Sequence, residues 1–483
     1  MSQIAFYSLR PVWLTRKQKG TKHMSAQGAI PPSIRDALES TSGYVLLVAG
    51  KPGTGKSLFV QEIFREFPDS FIVLSNAEAT GVAETEVSNL PKWDERHVVA
   101  QYWRDIQEES LHEFSVKEQC SKLLGKDTPY IDSSIVIIDS WTDFLMPVQV
   151  EREYEILQSL IYASRKECKK LVLVSEADLR EPTIRQLEHS TDAIIRLEKL
   201  SENKRMYRQM SIEKMRSRSI SQDTFLFTLD NGYFSYIPWH KHQFPPIMVE
   251  REPIVDPSKD KISTGNRSLD GILGGGFEKG MLSLIEVENL AAPYLETIYI
   301  PFLSNHLQLG RPAVILLPEG WSPDRFMQGL SHFVDAECVE KQVVFFGRHA
   351  LGQHDNVRSI DDDPWKTLQE IRYEATQLER EFKTQATELF SLNTLENKYG
   401  LTDVKGVMAE ITAALATTQR ATVTILSKQQ ALKSGSIAHS IHLKVQELSG
   451  VLSIFGIIPR TNFLAVRPML SKGFLDYDLI PIV

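Results

Sequence analysis

Eight consecutive residues in the first part of the chain have the types and spacing of a phosphate-binding loop. They read Gly50-Lys51-Pro52-Gly53-Thr54-Gly55-Lys56-Ser57, which matches every fixed position of the P-loop pattern. The glycines let successive backbone N–H groups turn inward around a phosphate, because no side chain blocks its approach. Lys56 would place a positive charge against the outer phosphates, and the Ser57 hydroxyl would bind Mg²⁺. These residues predict a nucleoside triphosphate site.

The segments on either side of this loop have the character that such a site needs. Tyr44–Ala49 is an apolar run typical of a buried strand, and residues 58–64 have helical apolar spacing. A glycine-rich turn without a ligand is the alternative interpretation. It is disfavoured because the complete pattern lies between a recognisable strand and a recognisable helix.

An acid at the end of a later apolar run is the second candidate for phosphate chemistry. Residues 135–138 are all Ile or Val, and Asp139 follows them directly. At the carboxyl edge of a parallel sheet, Asp139 would hold a Mg²⁺-bound water in the manner of a Walker B acid. The alternative is a carboxylate that caps a strand, but the upstream P-loop favours the metal role.

Strand-like and helix-like segments alternate through the first half of the chain. Strand-like runs occur at residues 71–75, 135–140, 171–175 and 193–197, and residues 151–166 have helical spacing. Strands that alternate with helices form a parallel sheet with helices on both faces. The predicted class is therefore α/β with a doubly wound sheet.

A basic stretch follows the last of these strands. It contains Lys199, Lys204, Arg205, Arg208, Lys214, Arg216 and Arg218. One interpretation is a solvated hairpin at a sheet edge, where lysines discourage aggregation. The other is a surface that faces phosphate or a partner, and the sequence does not favour either.

The chain has 483 residues, which is too many for one hydrophobic core and predicts two domains. Prolines and charges mark a linker at residues 241–261. The predicted divisions are a flexible extension at 1–29, a first domain at 30–240 and a second domain at 262–483.

Composition narrows the class of protein. The net charge of −8 argues against a protein that coats nucleic acid, and three scattered cysteines suit a reducing cytosol. No apolar run is long enough to span a bilayer, and no long apolar segment follows the basic residues of the extension. We expect a cytoplasmic protein with neither a secretory signal nor a membrane partner.

The order of these motifs resembles the RecA superfamily, and its KaiC-like branch most closely. The resemblance rests on local matches at residues 138–140, 191–198 and 212–216, and on a domain-start pattern from Ser263-Thr264-Gly265 to Gly274-Gly275-Gly276. It implies two RecA-like, doubly wound parallel-sheet domains in tandem. It also implies that Glu78, 22 residues after Lys56, activates water for attack on the γ-phosphate of ATP, with Lys56 as a catalytic cation. The alternative for Glu78 is a surface carboxylate, and Glu176 is the weaker candidate for the same role.

In that family, the element that resembles residues 212–216 reaches the nucleotide of a neighbouring subunit. Lys214 and Arg216 are therefore expected to act in trans and to stabilise charge on the phosphate. They are separated by one residue, so on a strand they would point to the same side. The alternative for both is the solvated hairpin.

The second copy departs from the pattern where a second P-loop should come. Residues 287–294 contain no glycine, and Pro293 and Tyr294 stand where Lys and Ser or Thr would be. At the position in the second copy that is equivalent to Asp139, the metal-holding Asp is replaced by Asn393. We expect a degenerate domain that keeps the fold without triphosphate chemistry.

One intact KaiC-like domain followed by a degenerate one is similar to the archaeal gas-vesicle regulatory protein D family. That resemblance implies an ATP-binding regulator, slow in hydrolysis, whose nucleotide state controls assembly or docking on a transcription activator. Further copies of the chain, as a homo-oligomer, are the other expected partner. A DNA-processing ATPase of the recombinase-paralogue type is the rival, disfavoured by the acidic charge, and a KaiC-type autokinase is weakened by the degenerate second site.

Overall fold

The computed structural model describes residues 29–74, 97–99, 133–145, 150–176, 187–239, 252–288, 291–348, 354–469 and 476–483. Within these ranges the chain forms two large sheets, one after the other along the sequence. The predicted extension up to residue 28, residues 241–251 of the predicted linker, and Glu78 lie outside the described residues.

The first sheet has nine strands among the described residues, in the order β3-β2-β4-β5-β1-β6-β7-β8-β9. Their bounds are β1 Tyr44–Ala49, β2 Ser70–Leu74, β3 His97–Val99, β4 Ile135–Asp139, β5 Lys170–Ser175, β6 Ala193–Glu202, β7 Arg205–Met215, β8 Thr224–Thr228 and β9 Ser235–Ile237. The strands from β3 to β6 pair in parallel, and β6 to β9 pair antiparallel. The predicted strands at residues 71–75, 135–140, 171–175 and 193–197 all lie within this sheet to within one residue, except that β6 runs five residues further.

Helices cover both faces of the first sheet, as predicted for a doubly wound fold. They are α1 Pro32–Leu38, α2 Lys56–Glu66, α3 Trp141–Leu145 and α4 Val150–Lys166. One apolar core joins α1 and α2 to one face of the sheet, and a second core joins α3 and α4 to the other face. Alternate residues of β1 enter the two cores: Leu46 and Val48 enter the first, and Val45 and Leu47 the second.

The second sheet has ten strands among the described residues, in the order β15-β14-β13-β16-β17-β12-β18-β19-β20-β21. Their bounds are β12 Leu282–Val287, β13 Ala313–Leu316, β14 Val343–Gly347, β15 Val357–Ser359, β16 Thr387–Ser391, β17 Ala421–Ser427, β18 Ile441–Leu448, β19 Val451–Ile458, β20 Leu464–Met469 and β21 Asp476–Pro481. A separate pair, β10 Lys261–Ile262 and β11 Phe277–Glu278, precedes it. The helices are α5 Arg267–Ile272, α6 Ala292–Gln308, α7 Pro323–Ser331, α8 Ala336–Gln342, α9 Pro364–Phe382 and α10 Leu392–Thr418.

The two sheets repeat one topology. In each, the first central strand (β1 or β12) pairs in parallel on one side with the strand after the acidic position (β5 or β17). On its other side it pairs with a strand that opens an antiparallel hairpin (β6–β7 or β18–β19). Helices again cover both faces of the second sheet, α5 to α8 on one and α9 and α10 on the other. The predicted class, tandem RecA-like α/β domains, is confirmed.

The basic stretch forms the β6–β7 hairpin, but the hairpin is not at an edge of the sheet. Strands β8 and β9 continue the sheet beyond β7, so the first of the two interpretations of the basic stretch is wrong in placing the hairpin at a sheet edge. Strands β8 and β9, which follow the basic stretch, are short, and the sequence pattern does not predict them.

The two sheets pack together through their antiparallel parts. Leu226 and Ile237 of the first sheet share a buried apolar cluster with Val451, Phe455 and Phe463 of the second. The tip of each hairpin also contacts the other sheet: the Asn203 amide donates to Gln446 Oε1, and the Ser449 hydroxyl donates to Gln209 Oε1 at 2.9 Å. The hairpins that are equivalent in the two halves therefore form part of the contact between them.

Within the described ranges, no helix combines the length and the apolar character needed to cross a membrane.

Candidate functional site

The predicted phosphate loop is the six-residue connection between β1 and α2, residues 50–55, followed by Lys56 and Ser57 in the first turn of the helix. The connection lies at the carboxyl edge of the parallel strands, where ligands bind in open α/β sheets. Lys51, Pro52, Gly53 and Ser57 are exposed. Thr54 is buried, and its hydroxyl donates to the Lys51 carbonyl at 2.8 Å, which ties the loop into a turn.

Two glycines of the loop are required by their surroundings. A Cβ at Gly50 would lie 2.4 Å from the Leu197 carbonyl oxygen of β6, so the loop could not leave the sheet at this point. Gly55 has φ of +103° as the residue before α2, a conformation that other residues rarely adopt. A Cβ there would also lie 2.8 Å from Leu229. Glycine is thus needed in this loop so that it can pack against Leu197 and Leu229, as well as to let a phosphate approach its backbone.

Lys56 is buried, and the loop backbone holds its ammonium group. Lys56 Nζ donates to the carbonyls of Gly50 at 2.9 Å and Lys51 at 3.0 Å. Burial lowers the pKa of Lys56, and the carboxylates of Glu176 and Asp139 counteract part of that effect. The fold therefore places a desolvated positive charge inside the loop, where its interaction with a phosphate would be weakly screened.

Two acids from neighbouring strands lie beside this lysine. Asp139 ends β4 and acts electrostatically on Lys56, while Glu176 follows β5 with its Oε1 3.7 Å from Lys56 Nζ. The Glu176 backbone N–H donates to the Thr142 hydroxyl at 3.2 Å, which fixes the residue at the strand end. Glu176 is the weaker candidate for activating water in the sequence analysis, and the structure places it beside the loop.

The residues present fit a magnesium ion. Mg²⁺ is usually held by one or two protein oxygens, with phosphates and water completing its shell. The exposed Ser57 hydroxyl in the first turn of α2 and the Asp139 carboxylate at the end of β4 are oxygen ligands at the same edge of the sheet.

Lys214 and Arg216 point away from the loop of their own chain. Lys214 Nζ donates to the Glu188 carbonyl at 2.6 Å, and Arg216 Nη2 donates to the His189 carbonyl at 2.8 Å. Lys214 Nζ also reaches the His189 carbonyl, so both side chains lie on one side of the hairpin. These carbonyls lie just before β6, at the end of the parallel strands opposite to the P-loop. Neither residue can contact this chain's own phosphate site, and both have a structural role in holding this turn.

A basic residue that the sequence did not single out does reach the loop. Arg208, on β7, donates from Nη1 to the Gly53 carbonyl at 3.0 Å. Nothing in the spacing of the basic stretch distinguishes Arg208 from its neighbours, because its position depends on the pairing of β6 with β7 and with β1.

The equivalent connection in the second half is shorter and acidic. Only four residues, 288–291, separate β12 from α6, compared with six in the first half. In the first half, Lys56 and Ser57 are the first two residues of α2. α6 begins at Ala292, so the equivalent residues are Ala292 and Pro293, and not Pro293 and Tyr294 as the sequence analysis has it. The shorter connection leaves less backbone for a phosphate cradle.

Carboxylates paired with cations lie in and beside this second connection. Glu286 contacts Lys444 Nζ at 2.8 Å and His442 Nε2 at 3.2 Å. Burial opposes ionisation of Glu286, but the hydrogen bonds from His442 and Lys444 outweigh it and lower the pKa of Glu286 to about 2. Lys428 pairs with Glu288 at 2.6 Å. Nearby cations are thus engaged by carboxylates, whose charge opposes a phosphate group.

The strand registers correct one assignment at the second acidic position. Ile138 of β4 lies opposite Leu173, two residues before Ser175, and Ser391 of β16 lies opposite Ile425, two residues before Ser427. Because β1 and β12 end opposite Ser175 and Ser427, the residue equivalent to Asp139 is Leu392, and not Asn393 as predicted. Asn393 is buried one position further, where its Oδ1 accepts from the Ser391 hydroxyl. A carboxylate is lost at this position in either alignment.

Comparisons with known proteins agree with this architecture. Residues 75–240 match the family model described as "ATPase: KaiC", a match that begins after the P-loop and includes Asp139 and the basic hairpin. The chain is 25% identical over 364 residues to Protein GvpD2 of Halobacterium salinarum, covering 69% of this chain and 70% of that protein. It is 23% identical over 354 residues to Protein GvpD1 of the same organism, covering 68% of this chain and 64% of the relative. The first half of the chain therefore contains a KaiC-like ATPase domain by its match to that family model, and the chain is homologous to the GvpD proteins over 68–69% of its length.

Proposed function

We propose that this chain is a cytoplasmic regulator that binds ATP with Mg²⁺, hydrolyses it slowly, and uses its nucleotide state to control docking on a protein partner, such as a transcription activator. The observation that carries the proposal is the arrangement of Lys56 beside Asp139 and Glu176 in one half of the chain, next to a second half of the same topology whose equivalent connection is acidic. One complete phosphate loop beside one acidic connection suits a regulator with a single nucleotide site better than an enzyme that needs two.

Each residue has a proposed role in the bound state. The backbone of residues 50–55 would surround the phosphates, Lys56 would neutralise their charge, and Ser57 and Asp139 would hold Mg²⁺. Bound Mg²⁺ would polarise the terminal phosphate. Glu78 is proposed to orient the attacking water, with Glu176 as the alternative because of its position beside Lys56.

Assembly of like subunits is part of the proposal. Lys214 and Arg216 face away from their own loop, so they are available only to a neighbour or to a structural role. The similarity to the GvpD proteins supports a regulatory function. A protein partner is favoured over nucleic acid because of the net charge of −8.

The test is a pull-down from a native-like lysate with the purified chain, with and without ATP, in parallel with Lys56→Ala. The proposal expects a transcription regulator that is retained by the original chain in only one nucleotide state. Retention that is identical in all four samples would contradict it. A titration with duplex DNA at several salt concentrations is the companion experiment, since a steep loss of affinity with salt would instead support the DNA-processing ATPase.

A further inference from the structure

Arg208 lies at the phosphate loop, and among the described residues it has no acidic partner. Its Nη1 donates to the Gly53 carbonyl, and its Nε is buried with no hydrogen-bond acceptor among the described residues. No ion pair joins Arg208 to a described carboxylate, and burial lowers the pKa of its guanidinium. By contrast, Arg196 on the neighbouring strand has a two-pronged contact with Glu213, at 2.5 and 3.0 Å.

A partly buried guanidinium without a counter-charge is unfavourable, because the cost of desolvation is not offset. The position of the Arg208 guanidinium indicates which negatively charged group would pair with it. Gly53 is in the middle of the loop predicted to surround phosphates, and a guanidinium has five N–H donors in a planar fork that suits phosphate oxygens. One donor can remain on the Gly53 carbonyl while others reach a bound phosphate.

The strand that carries Arg208 is also anchored in the second half of the chain. Arg205, three residues earlier on β7, is buried and donates to the Thr461 and Gly456 carbonyls, each at 2.7 Å. Its guanidinium lies 4.5 Å from the centre of the Phe455 ring. Gln209, the residue after Arg208, accepts from the Ser449 hydroxyl in the turn between β18 and β19.

A second contact route leads from the loop to the same sheet. Leu229 packs against Gly55, and the Leu229 backbone N–H donates to the Val483 carbonyl at 3.1 Å. The Thr228 hydroxyl donates to the Pro481 carbonyl at 2.6 Å. Both routes join the phosphate loop to the antiparallel part of the second sheet.

We propose that Arg208 binds the phosphates of the nucleotide held in the loop of its own chain, and that through β7 the second domain senses whether the loop is occupied. This inference rests on the proposed function only in assuming that the loop binds ATP. It assigns the degenerate domain a task that needs no nucleotide site of its own.

The first test is ATP affinity, measured by calorimetry on the full chain. Arg208→Gln should weaken binding by about ten- to a hundred-fold, the range for loss of a hydrogen bond to a charged group. Arg208→Lys should restore part of the loss, because it keeps the charge without the fork. Arg196→Gln, the matched control on the same hairpin, should bind like the original chain. Unchanged affinity in Arg208→Gln would overturn the proposal, whereas absence of binding by the original chain would instead refute the proposed function.

The second test measures whether occupancy of the loop changes the second domain. Saturating ATP should slow backbone hydrogen exchange at residues 448–451, the turn that contacts Gln209, in the original chain and in Arg196→Gln. In Arg208→Gln at saturating ATP this protection should be absent, while exchange without ATP should match the original chain. Equal ATP-induced protection in Arg208→Gln, or no protection in the original chain, would contradict sensing through β7.

Discussion

The connections that follow β1 and β12 occupy the same place in two sheets of the same topology, yet they have opposite chemistry. The first is glycine-rich and encloses the buried ammonium of Lys56. The second is two residues shorter and carries Glu288, and Glu286 lies just before it at the end of β12; each of these carboxylates is paired with a cation. The apolar strands and the two helical layers maintain the fold in both halves. Under the proposed function, a few loop residues decide whether a phosphate can bind, so the fold can be kept where the ligand chemistry is lost.

The largest expected effect comes from removing the one loop lysine. Lys56→Ala should abolish ATP binding by the whole chain, because the second connection lacks a cradle and has an acidic environment. Lys428→Ala, which removes a lysine charge beside the second connection, is the matched control and should leave ATP affinity unchanged. Near-native ATP binding by Lys56→Ala in calorimetry would show that the second half retains a site, and the contrast between the two connections would then be incorrect.

The next effect separates the two acids that could activate water. Glu78→Gln should leave ATP affinity nearly intact and lower turnover by about a hundred-fold, since it removes the base and keeps the shape. Glu176→Gln should lower turnover less, because its carboxylate lies beside Lys56 and is expected to act on binding. Phosphate release under saturating ATP measures both variants. If Glu78→Gln turns over normally and Glu176→Gln does not, the catalytic role belongs to Glu176.

A smaller effect is expected at the opposite end of the first sheet. Reversing the charge of both Lys214 and Arg216 should lower turnover by at least about tenfold, the lower end of the range for loss of a hydrogen bond to a charged group. The domain should stay folded, because Arg216 is exposed and the Lys214 contacts are with a turn. Mixing this variant with Lys56→Ala should restore part of the activity, since one supplies the loop and the other the cations.

Sedimentation of the mixed sample is the control for this experiment. Co-assembly of the two variants without any recovery of phosphate release would exclude the trans role. Full activity of a monomeric original chain would do the same, and Lys214 and Arg216 would then serve only to hold the turn before β6.

The smallest effect concerns the ion pairs of the second connection. The folded-state pKa of Glu286, about 2, lies below its ordinary value of 4.5. Its stabilisation is therefore complete above about pH 4.5 and is lost as the pH falls through 2. Glu286→Gln should lower the free energy of unfolding near pH 7 by about 1–2 kcal/mol after allowance for solvent screening, and this difference should shrink toward pH 2.

Urea unfolding across this pH range measures the difference. Glu288→Gln removes a more exposed pair with Lys428 and should change stability by less than about 1 kcal/mol. A difference for Glu286→Gln that does not vary with pH would show that its ion pairs contribute nothing to the stability of the connection.

Local sequence patterns predicted the strand–loop–helix unit and most strands of the first sheet. Tyr44–Ala49 is a strand with the predicted bounds, and Asp139 ends β4 as expected. These predictions succeeded because a buried parallel strand needs a continuous apolar run, which is visible in the sequence. Glu78 lies outside the described residues, so its role stays a prediction, as do the domain boundaries and the trans role of Lys214 and Arg216.

Predictions that depended on contacts distant in the sequence were less successful. One of the two interpretations of the hairpin placed it at an edge, because the short strands β8 and β9 gave no clear signal. Asn393 was placed at the acidic position because a one-residue shift of register cannot be read from a single strand. Arg208 was one of several basic residues until strand pairing placed it against Gly53, 155 residues earlier.

The sequence by itself therefore determined the α/β class, the phosphate-loop pattern of residues 50–57 and the absence of a second such pattern, because each depends on residues that are adjacent along the chain. Only the tertiary structure decided that Glu176 and Arg208 meet this loop, that Lys214 and Arg216 face away from it, and that the two hairpins pack together. Those outcomes depend on strand order and register, which are set by packing between segments far apart in the chain.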